Sequence, residues 1–260
     1  GTPLVWGHGL MSSVAAEDAL GWFDWPGLAG QVRLIRYDAR GHGSSSAPRS
    51  TDAYRWSSLG ADMLAVADSV DAETFIAGGM SMGCATAIHA AIQAPHRIRG
   101  LILAMPPMIW EGRTLQRKMY KRIAERGTEA DGRALEKLMS RDMARTLPPW
   151  LAHVPGQMES LAIGVRALDQ LTIPDLFHGA AVSDLPPRAA LAALEGIPAL
   201  ILGWSGDSTH PAASAQELHR LLPKSKLHIA HDYSDFKSFP QRIRQFVDDL
   251  VVRRPDEIGE

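Results

Sequence analysis

The chain has little of the chemistry that defines several large classes of protein. Cys84 is the single cysteine among 260 residues, so an intrachain disulfide is excluded and nothing points to an oxidising compartment. The formal net charge of −2 gives no electrostatic reason to expect nucleic acid or an anionic membrane as a partner. The longest apolar run, Leu101–Trp110, is too short to cross a bilayer and is broken by Pro106 and Pro107. We therefore expect a cytoplasmic protein.

Motifs for metal and nucleotide chemistry are also missing. The sequence has no His-Glu-x-x-His segment, no pair of cysteines and no Gly-rich phosphate loop with a lysine. We interpret His8 and His42 as loop residues rather than metal ligands. The sequence thus predicts neither a metal nor a cofactor.

What is present is the composition of an ordinary globular enzyme, with 45% hydrophobic and 22% charged residues. Strand and helix signals alternate, which predicts an α/β fold with a mostly parallel sheet flanked by helices. The predicted strands are Leu4–Trp6, Val32–Tyr37, Thr74–Ala77, Gly100–Ala104, Pro198–Leu202 and Lys226–Ala230. The predicted helices between them are Trp56–Val70, Cys84–Ala94, Ala212–Leu222 and Phe239–Val252.

Residues 108–195 interrupt this alternation. The stretches Arg113–Arg126 and Arg133–Thr146 are strongly amphipathic, Gln157–Gln170 is also helical in pattern, and prolines separate them. We predict a core formed by residues 1–107 and 196–260, with a helical insertion at 108–195 rather than an independent domain.

The most informative motif is Gly79-Met80-Ser81-Met82-Gly83. It follows the β-branched and aromatic run at 74–76 and precedes an Ala-rich stretch, and strand, serine turn and helix is the context of a nucleophile elbow. So tight a turn requires residues almost free of side chain two positions away, and Gly79 and Gly83 meet that requirement. Free N–H groups at the helix N-terminus favour a developing negative charge beside Ser81. We predict Ser81 as a nucleophile.

A serine nucleophile needs a general base, and the base needs a third group to orient it. In open α/β sheets such groups gather at the carboxyl ends of the strands. Asp207 follows the strand Pro198–Leu202 in a Gly-rich turn that Pro211 closes, and we predict it as the acid. His231 comes directly after the last strand, and we predict it as the base.

Two other histidines compete with this assignment. His228 lies within the last strand, three residues before His231. His210 lies three residues after Asp207, which we interpret as too close for a base and more typical of a residue that lines the turn.

The remaining site predictions concern the oxyanion hole and the pocket. Two backbone N–H groups are needed, and we assign them to Met82, after the nucleophile, and to Leu10 in the loop at 8–11. Apolar side chains near the motifs are candidate walls of a substrate pocket, the alternative for each being ordinary core packing. These side chains are Met11, Met80, Trp110 and Phe177.

Together these motifs resemble the α/β-hydrolase superfamily, in its esterase and enol-lactonase branch. The matching segments are His8-Gly9, Asp38-x-Arg40-Gly41-His42-Gly43-Ser44, the elbow at 79–83, Gly206-Asp207 and the late His231. The resemblance implies that residues 108–195 form a cap over the site, and that Asp38, Arg40 and His42 tie a loop beside it. The chain departs from the family in having Ala230, where glycine is common, before His231.

The resulting functional prediction is a serine hydrolase of the carboxylesterase or lactonase type, which cleaves a small, largely apolar ester or lactone through an acyl-enzyme on Ser81. One alternative on the same triad is a cofactor-free haloperoxidase or perhydrolase. Another is a C–C bond hydrolase, which is disfavoured because Gly79 and Asp232 stand where that class has asparagine and an aromatic residue. A hydrolase-like ligand sensor with low turnover is the alternative from another class. The predicted partner is a small molecule, with no nucleic acid or membrane, and the oligomeric state stays open.

Overall fold

The computed structural model describes residues 1–126, 136, 137, 141, 145, 147–151, 154 and 156–252. Over these residues six strands form one parallel sheet in the order β2-β1-β3-β4-β5-β6. The strands are β1 (Pro3–Gly7), β2 (Arg33–Tyr37), β3 (Phe75–Met80), β4 (Ile98–Ala104), β5 (Ala199–Trp204) and β6 (Ser225–Ala230). All six predicted strands are therefore present, and the predicted fold class is confirmed.

Helices connect the strands and cover both faces of the sheet. They are α1 (Val14–Leu20), α2 (Trp25–Ala29), α3 (Trp56–Ser69), α4 (Met82–Gln93), α5 (Thr114–Arg126), α6 (Gln157–Arg166), α7 (Ile173–Val182), α8 (Ala212–Leu221), α9 (Tyr233–Phe236) and α10 (Phe239–Val252). Short 3₁₀ turns are found at Thr51–Tyr54, Pro95–Arg97, Trp110–Arg113 and Arg188–Leu194. None of the helices over the described ranges combines the length and apolar character that crossing a bilayer requires.

Alternate residues of the strands enter two different cores. Val5 of β1 packs in a cluster with Met63 of α3, whereas its neighbours Leu4 and Trp6 pack in a second cluster with Phe239 of α10. Successive side chains of a strand point to opposite faces, so both faces of the sheet are buried. This explains why the inner strands β1, β3, β4 and β5 are nearly continuous apolar runs.

The segment at 108–195 adds a third apolar cluster, in which Tyr120 of α5, Leu161 of α6 and Phe177 of α7 pack together. Helix α7 was not predicted as a separate helix, and the predicted helix Arg133–Thr146 falls mostly outside the described residues. Helix α6 packs closely against α1, which begins after the N-cap Ser13 and ends at Gly21 in the left-handed conformation.

Helix α1 carries a buried carboxyl group, that of Glu17. Glu17 is 1% exposed, and both of its oxygens accept from Trp6 Nε1, at 3.2 and 3.1 Å. Arg36 lies 3.5 Å from the carboxylate. Burial outweighs these favourable contacts and raises the pKa of Glu17 to about 7.

We predict that Glu17→Gln changes how stability depends on pH. The pKa of Glu17 is higher in the folded chain, so the folded state keeps a proton that the unfolded state releases, and the wild type loses stability as pH rises from about 4.5 to 7. Glutamine has no proton to lose. The free energy of unfolding of the variant minus that of the wild type should therefore rise by about 2–3 kcal/mol between pH 5 and pH 8. Urea unfolding at both values measures this difference.

The matched control for that measurement is Asp18→Asn. Asp18 is the exposed neighbour that also pairs with Arg36, at 2.6 Å. Its variant should show only a small change over the same pH range, because an exposed carboxylate loses little hydration on folding. Parallel pH profiles for wild type and Glu17→Gln would contradict the argument.

Candidate active site

The predicted elbow is present between β3 and α4. Ser81 follows β3 directly and caps α4, with φ 54° and ψ −111°, a conformation that side-chain-bearing residues rarely adopt. Its N–H donates to Ala104 O at 3.0 Å and its carbonyl accepts from Cys84 N–H at 3.0 Å. These bonds hold the strained turn, so the Ser81 hydroxyl stands at the helix N-terminus.

Two glycines allow the backbone to approach this closely. A Cβ on Gly83 would lie 1.9 Å from Gly7 O, and a Cβ on Gly79 would lie 2.6 Å from the same oxygen. Neither distance is possible for a real side chain, so the elbow packs directly against the end of β1. This contact brings the loop after β1 next to Ser81.

The single cysteine is part of the packing. Cys84 is fully buried, and its Sγ lies 3.2 Å from Gly79 O and 3.0 Å from Ala104 O. Burial raises the pKa of the thiol well above its usual value, so it stays protonated and unreactive.

The imidazole beside Ser81 belongs to His210. Ser81 Oγ lies 2.8 Å from His210 Nε2, and His210 Nδ1 lies 2.9 Å from Asp207 Oδ2. With the ring proton on Nδ1, the hydroxyl donates to Nε2 while Nδ1–H donates to the carboxylate, which is the arrangement of a nucleophile, a base and an orienting acid. Asp207 thus lies where the sequence predicted an acid.

The structure does not bring His231, the predicted base, to Ser81. His231 follows β6 as expected, but its side chain is exposed, and over the described residues Ser81 makes its imidazole contact with His210. The rival His228 is also engaged elsewhere, with its Nε2 2.7 Å from Asp235 Oδ1.

From the sequence alone, His210 is interpreted as too close to Asp207 to act as a base. In the structure this short separation is what allows the two side chains to form a hydrogen bond. The residues at the two ends of a four-residue turn come into contact, so a separation of three is sufficient. Asp207 Oδ1 accepts from the N–H groups of Thr209, at 2.6 Å, and His210, at 3.0 Å, which folds the turn back on itself. A histidine three residues after the acid and before a proline was the signal available in the sequence.

The carboxylate of Asp207 is held as an anion in a buried position. Burial alone would raise the pKa of Asp207, but the attraction of His210 and the hydrogen bonds from His210 and Thr209 outweigh it and lower the pKa below its usual value. A fourth donor, Trp204 Nε1, lies 2.9 Å from Oδ2.

The loop after β1 is fixed by two buried histidines. His8 Nδ1 donates to Gly9 O at 2.7 Å, and its Nε2 accepts from Ala39 N–H at 2.9 Å. His42 Nε2 accepts from Met11 N–H at 3.2 Å. Burial lowers the pKa of His42 to about 3, with the neighbouring His8 adding to the effect, so its Nε2 stays free to accept.

Asp38 and Arg40 complete this link between loops. Asp38 accepts from the N–H groups of Val14, at 2.8 Å, and Ser44, at 3.0 Å, and Arg40 forms an ion pair with Asp62. Leu10 therefore lies in a loop that is tied on both sides. Met82 is the first residue of α4, so its N–H has no acceptor within the helix.

A cavity of about 380 Å³ opens at Ser81 and His210. Its size is in the range of small-molecule sites, and its walls are mainly apolar. The wall residues are Gly9, Leu10, Met11, Ser12, Leu20, Trp22, Met80, Met105, Met119, Tyr120, Arg145, Leu147, Gln157, Ser160, Leu161, Trp204 and Thr209.

Of the four predicted pocket residues, Met11 and Met80 line this cavity, and Trp110 and Phe177 do not. Trp110 donates from Nε1 to Pro186 O at 3.0 Å and lies under the Arg188 guanidinium. Phe177 is fully buried against Tyr120, with the ring centroids 5.8 Å apart. Both therefore have packing roles. No group of three metal-binding side chains occurs within the described part of the chain.

Comparison with known proteins identifies the family of the chain. The family described as alpha/beta hydrolase fold matches residues 2–237, and the chain belongs to it. Among solved structures, the enol-lactonase of Burkholderia xenovorans LB400 has a TM-score of 0.76 at 19% identity, with 97% of this chain and 90% of that one covered. A thermophilic esterase of Thermogutta terrifontis, at 18% identity, has the same TM-score and coverage, 97% and 90%. These likenesses concern the fold.

Local sequence similarity extends to two curated relatives. One, 35% identical over 104 residues, is the dihydrolipoyllysine-residue acetyltransferase component of an acetoin cleaving system of Pseudomonas putida, with 40% of this chain and 26% of the relative covered. The other, 39% identical over 71 residues, is 3-oxoadipate enol-lactonase 2 of Acinetobacter baylyi, with 27% and 26% covered. The matched part of the chain thus spans about a quarter of the length of these relatives.

We predict that Gly83→Ala abolishes soluble, folded protein or lowers the midpoint of thermal unfolding by well over 10 °C. The new methyl group would meet the Gly7 carbonyl, and because the obstacle is backbone it cannot move aside as a flexible side chain could. Circular dichroism on heating measures the effect. Gly196→Ala is the control, since a Cβ there meets nothing within 4 Å, and it should unfold with the wild type. Equal midpoints for the two variants would contradict the close-approach argument.

Proposed function

We propose that the chain is a serine hydrolase that cleaves a small, largely apolar carboxylic ester or lactone through an acyl-enzyme on Ser81. The observation that carries this proposal is the hydrogen-bonded series Asp207, His210, Ser81 at the base of an apolar cavity. The esterase and enol-lactonase among the structural neighbours support it as precedents for the fold.

In the first half of the reaction, Ser81 Oγ attacks the ester carbonyl carbon while His210 Nε2 takes the hydroxyl proton. Asp207 keeps the ring in the tautomer with Nδ1–H and stabilises the imidazolium that forms. The tetrahedral intermediate then expels the alcohol oxygen, which receives the proton from Nε2. From a lactone the alcohol would stay attached to the acyl group.

In the second half, water replaces the alcohol. His210 Nε2 takes a proton from the water as its oxygen attacks the acyl-enzyme, and returns that proton to Ser81 Oγ when the acid leaves. A base in this role contributes about 10²–10⁴ in rate. The catalyst ends the cycle unchanged, and neither half requires a metal or a cofactor.

The negative oxygen of both intermediates needs donors, and Met82 N–H and Leu10 N–H are our assignment. Met82 stands at the start of α4, and Leu10 lies in the loop that His8 and His42 fix. Donors held this way do not have to reorganise during the reaction, and one of them contributes roughly 3–4 kcal/mol to lowering the barrier.

The segment at 108–195 acts in this proposal as a cap that determines which substrates fit. Its residues Met119, Tyr120, Gln157 and Leu161 line the cavity together with core residues such as Met80. The flexible side chains of Met80 and Met119 suit an apolar substrate of variable shape.

The experiment that tests the function is hydrolysis of a panel of nitrophenyl esters and simple lactones by wild type and Ser81→Ala. We expect the wild type to turn over short and medium apolar acyl groups, and the variant to lose about 10⁴-fold or more in kcat/KM, since the nucleophile is gone. Circular dichroism checks that the variant is folded. Equal rates in wild type and variant would exclude the mechanism, and tight lactone binding by an inactive wild type would favour a ligand sensor.

The identity of the base gives a separate prediction. His210→Ala should lower kcat by about 10⁴-fold, because among the described residues His210 is the base within hydrogen-bond distance of Ser81 Oγ. His231→Ala should stay within about twofold of the wild type, since that side chain is exposed and the imidazole bonded to both Ser81 and Asp207 is that of His210. Steady-state kinetics on one good ester from the panel decides between them. A large loss of activity in His231→Ala, together with an active His210→Ala, would identify His231 as the general base.

A further inference from the structure

The carboxylate of Asp207 receives four hydrogen bonds from described residues. Backbone N–H groups of Thr209 and His210 bind Oδ1, and His210 Nδ1 and Trp204 Nε1 each lie 2.9 Å from Oδ2. Three of these donors belong to the turn itself. Trp204 alone comes from outside it, as the last residue of β5.

Trp204 is a rigid donor. Its backbone pairs with Ala230 of β6, and its side chain is 1% exposed. Its ring packs edge-on against Trp22, with centroids 5.2 Å apart, and against Trp150, at 6.1 Å, and lies 5.7 Å from Phe236. Because the Trp204 ring is packed on several sides, the direction of its N–H is fixed.

The Trp204 ring lies next to both the cavity and the imidazole of His210. It forms part of the cavity wall, and its centroid lies 6.4 Å from that of His210. A carboxylate oxygen shared between two donors has less charge to offer each of them. The indole N–H therefore restrains rotation of the carboxylate and moderates its pull on the imidazole proton.

We infer that Trp204 is a positioning residue of this site, whose indole N–H fixes Asp207 Oδ2 and thereby sets the basicity of the general base His210. The inference rests on the proposed function, since it concerns the same proton transfer. Trp204 itself touches no reacting atom in this role and acts through Asp207.

The test is the pH dependence of kcat/KM in Trp204→Phe, which keeps an aromatic ring and removes the N–H. Asp207 would then bind His210 more strongly and favour the protonated ring, so activity should be lost at a higher pH. We expect the acidic limb to move up by about 0.5–1 pH unit, and kcat to fall by about 10-fold at the optimum.

Trp22→Phe is the matched control. Trp22 also lines the cavity and packs against Trp204, but its buried Nε1 has no hydrogen-bond partner among the described residues. Its variant removes the same atoms without removing a bond to Asp207, so KM is expected to change while the acidic limb stays in place. Equal shifts in both variants would assign the effect to lost packing and overturn the inference.

A second substitution covers the case in which Trp204→Phe does not fold. Incorporating 3-benzothienylalanine at position 204 keeps the bicyclic ring and replaces N–H by sulfur. The same upward shift of the acidic limb is expected, and an acidic limb identical to that of the wild type would overturn the inference. An inactive wild type would instead exclude the proposed function, so the two failures are distinguishable.

Discussion

The site depends on one backbone contact, the approach of the Gly7 carbonyl to Gly79 and Gly83. Because neither glycine carries a side chain, the end of β1, the serine turn and the first turn of α4 lie directly against one another. Ser81, the N–H groups at the helix start and the loop at 8–12 are brought together by that contact. The strained backbone of Ser81 is tolerated because sheet and helix hydrogen bonds on both sides determine it.

Asp207 and His210, the proposed acid and base, come from a single turn after β5, and β6 contributes no side chain to the hydrogen-bonded series with Ser81. β6 ends at Ala230, and the residue after it, His231, faces outward while Asp232 caps the short helix α9. β6 forms one edge of the sheet, and α10 covers one face of it with Phe239 and Ile243 fully buried. Trp204 takes the space next to Asp207 at the end of β5.

Sequence patterns predicted the elements of the sheet and the elbow because both follow from local rules. Buried parallel strands require apolar runs, and the serine turn requires glycines at two fixed positions. The histidine beside Ser81 could not be predicted in the same way, since chain order favoured His231 and only the folded turn brings His210 to Asp207. An apolar side chain near the site can line the pocket or pack in the core, and the local sequence does not distinguish the two. Phe177 and Trp110 pack against other residues and do not line the cavity.

Placing Asp207 and His210 on one short turn has a mechanical consequence. Where an acid and a base stand on separate strands, any relative motion of those strands disturbs their mutual hydrogen bond as well as the contact with the nucleophile. Here Asp207 and His210 lie on the same turn and are expected to move together. Backbone N–H groups of that turn also bind the Asp207 carboxylate and hold it toward His210. The pair contacts Ser81 through the single hydrogen bond between Ser81 Oγ and His210 Nε2, and the Trp204 indole ties its carboxylate to the end of β5.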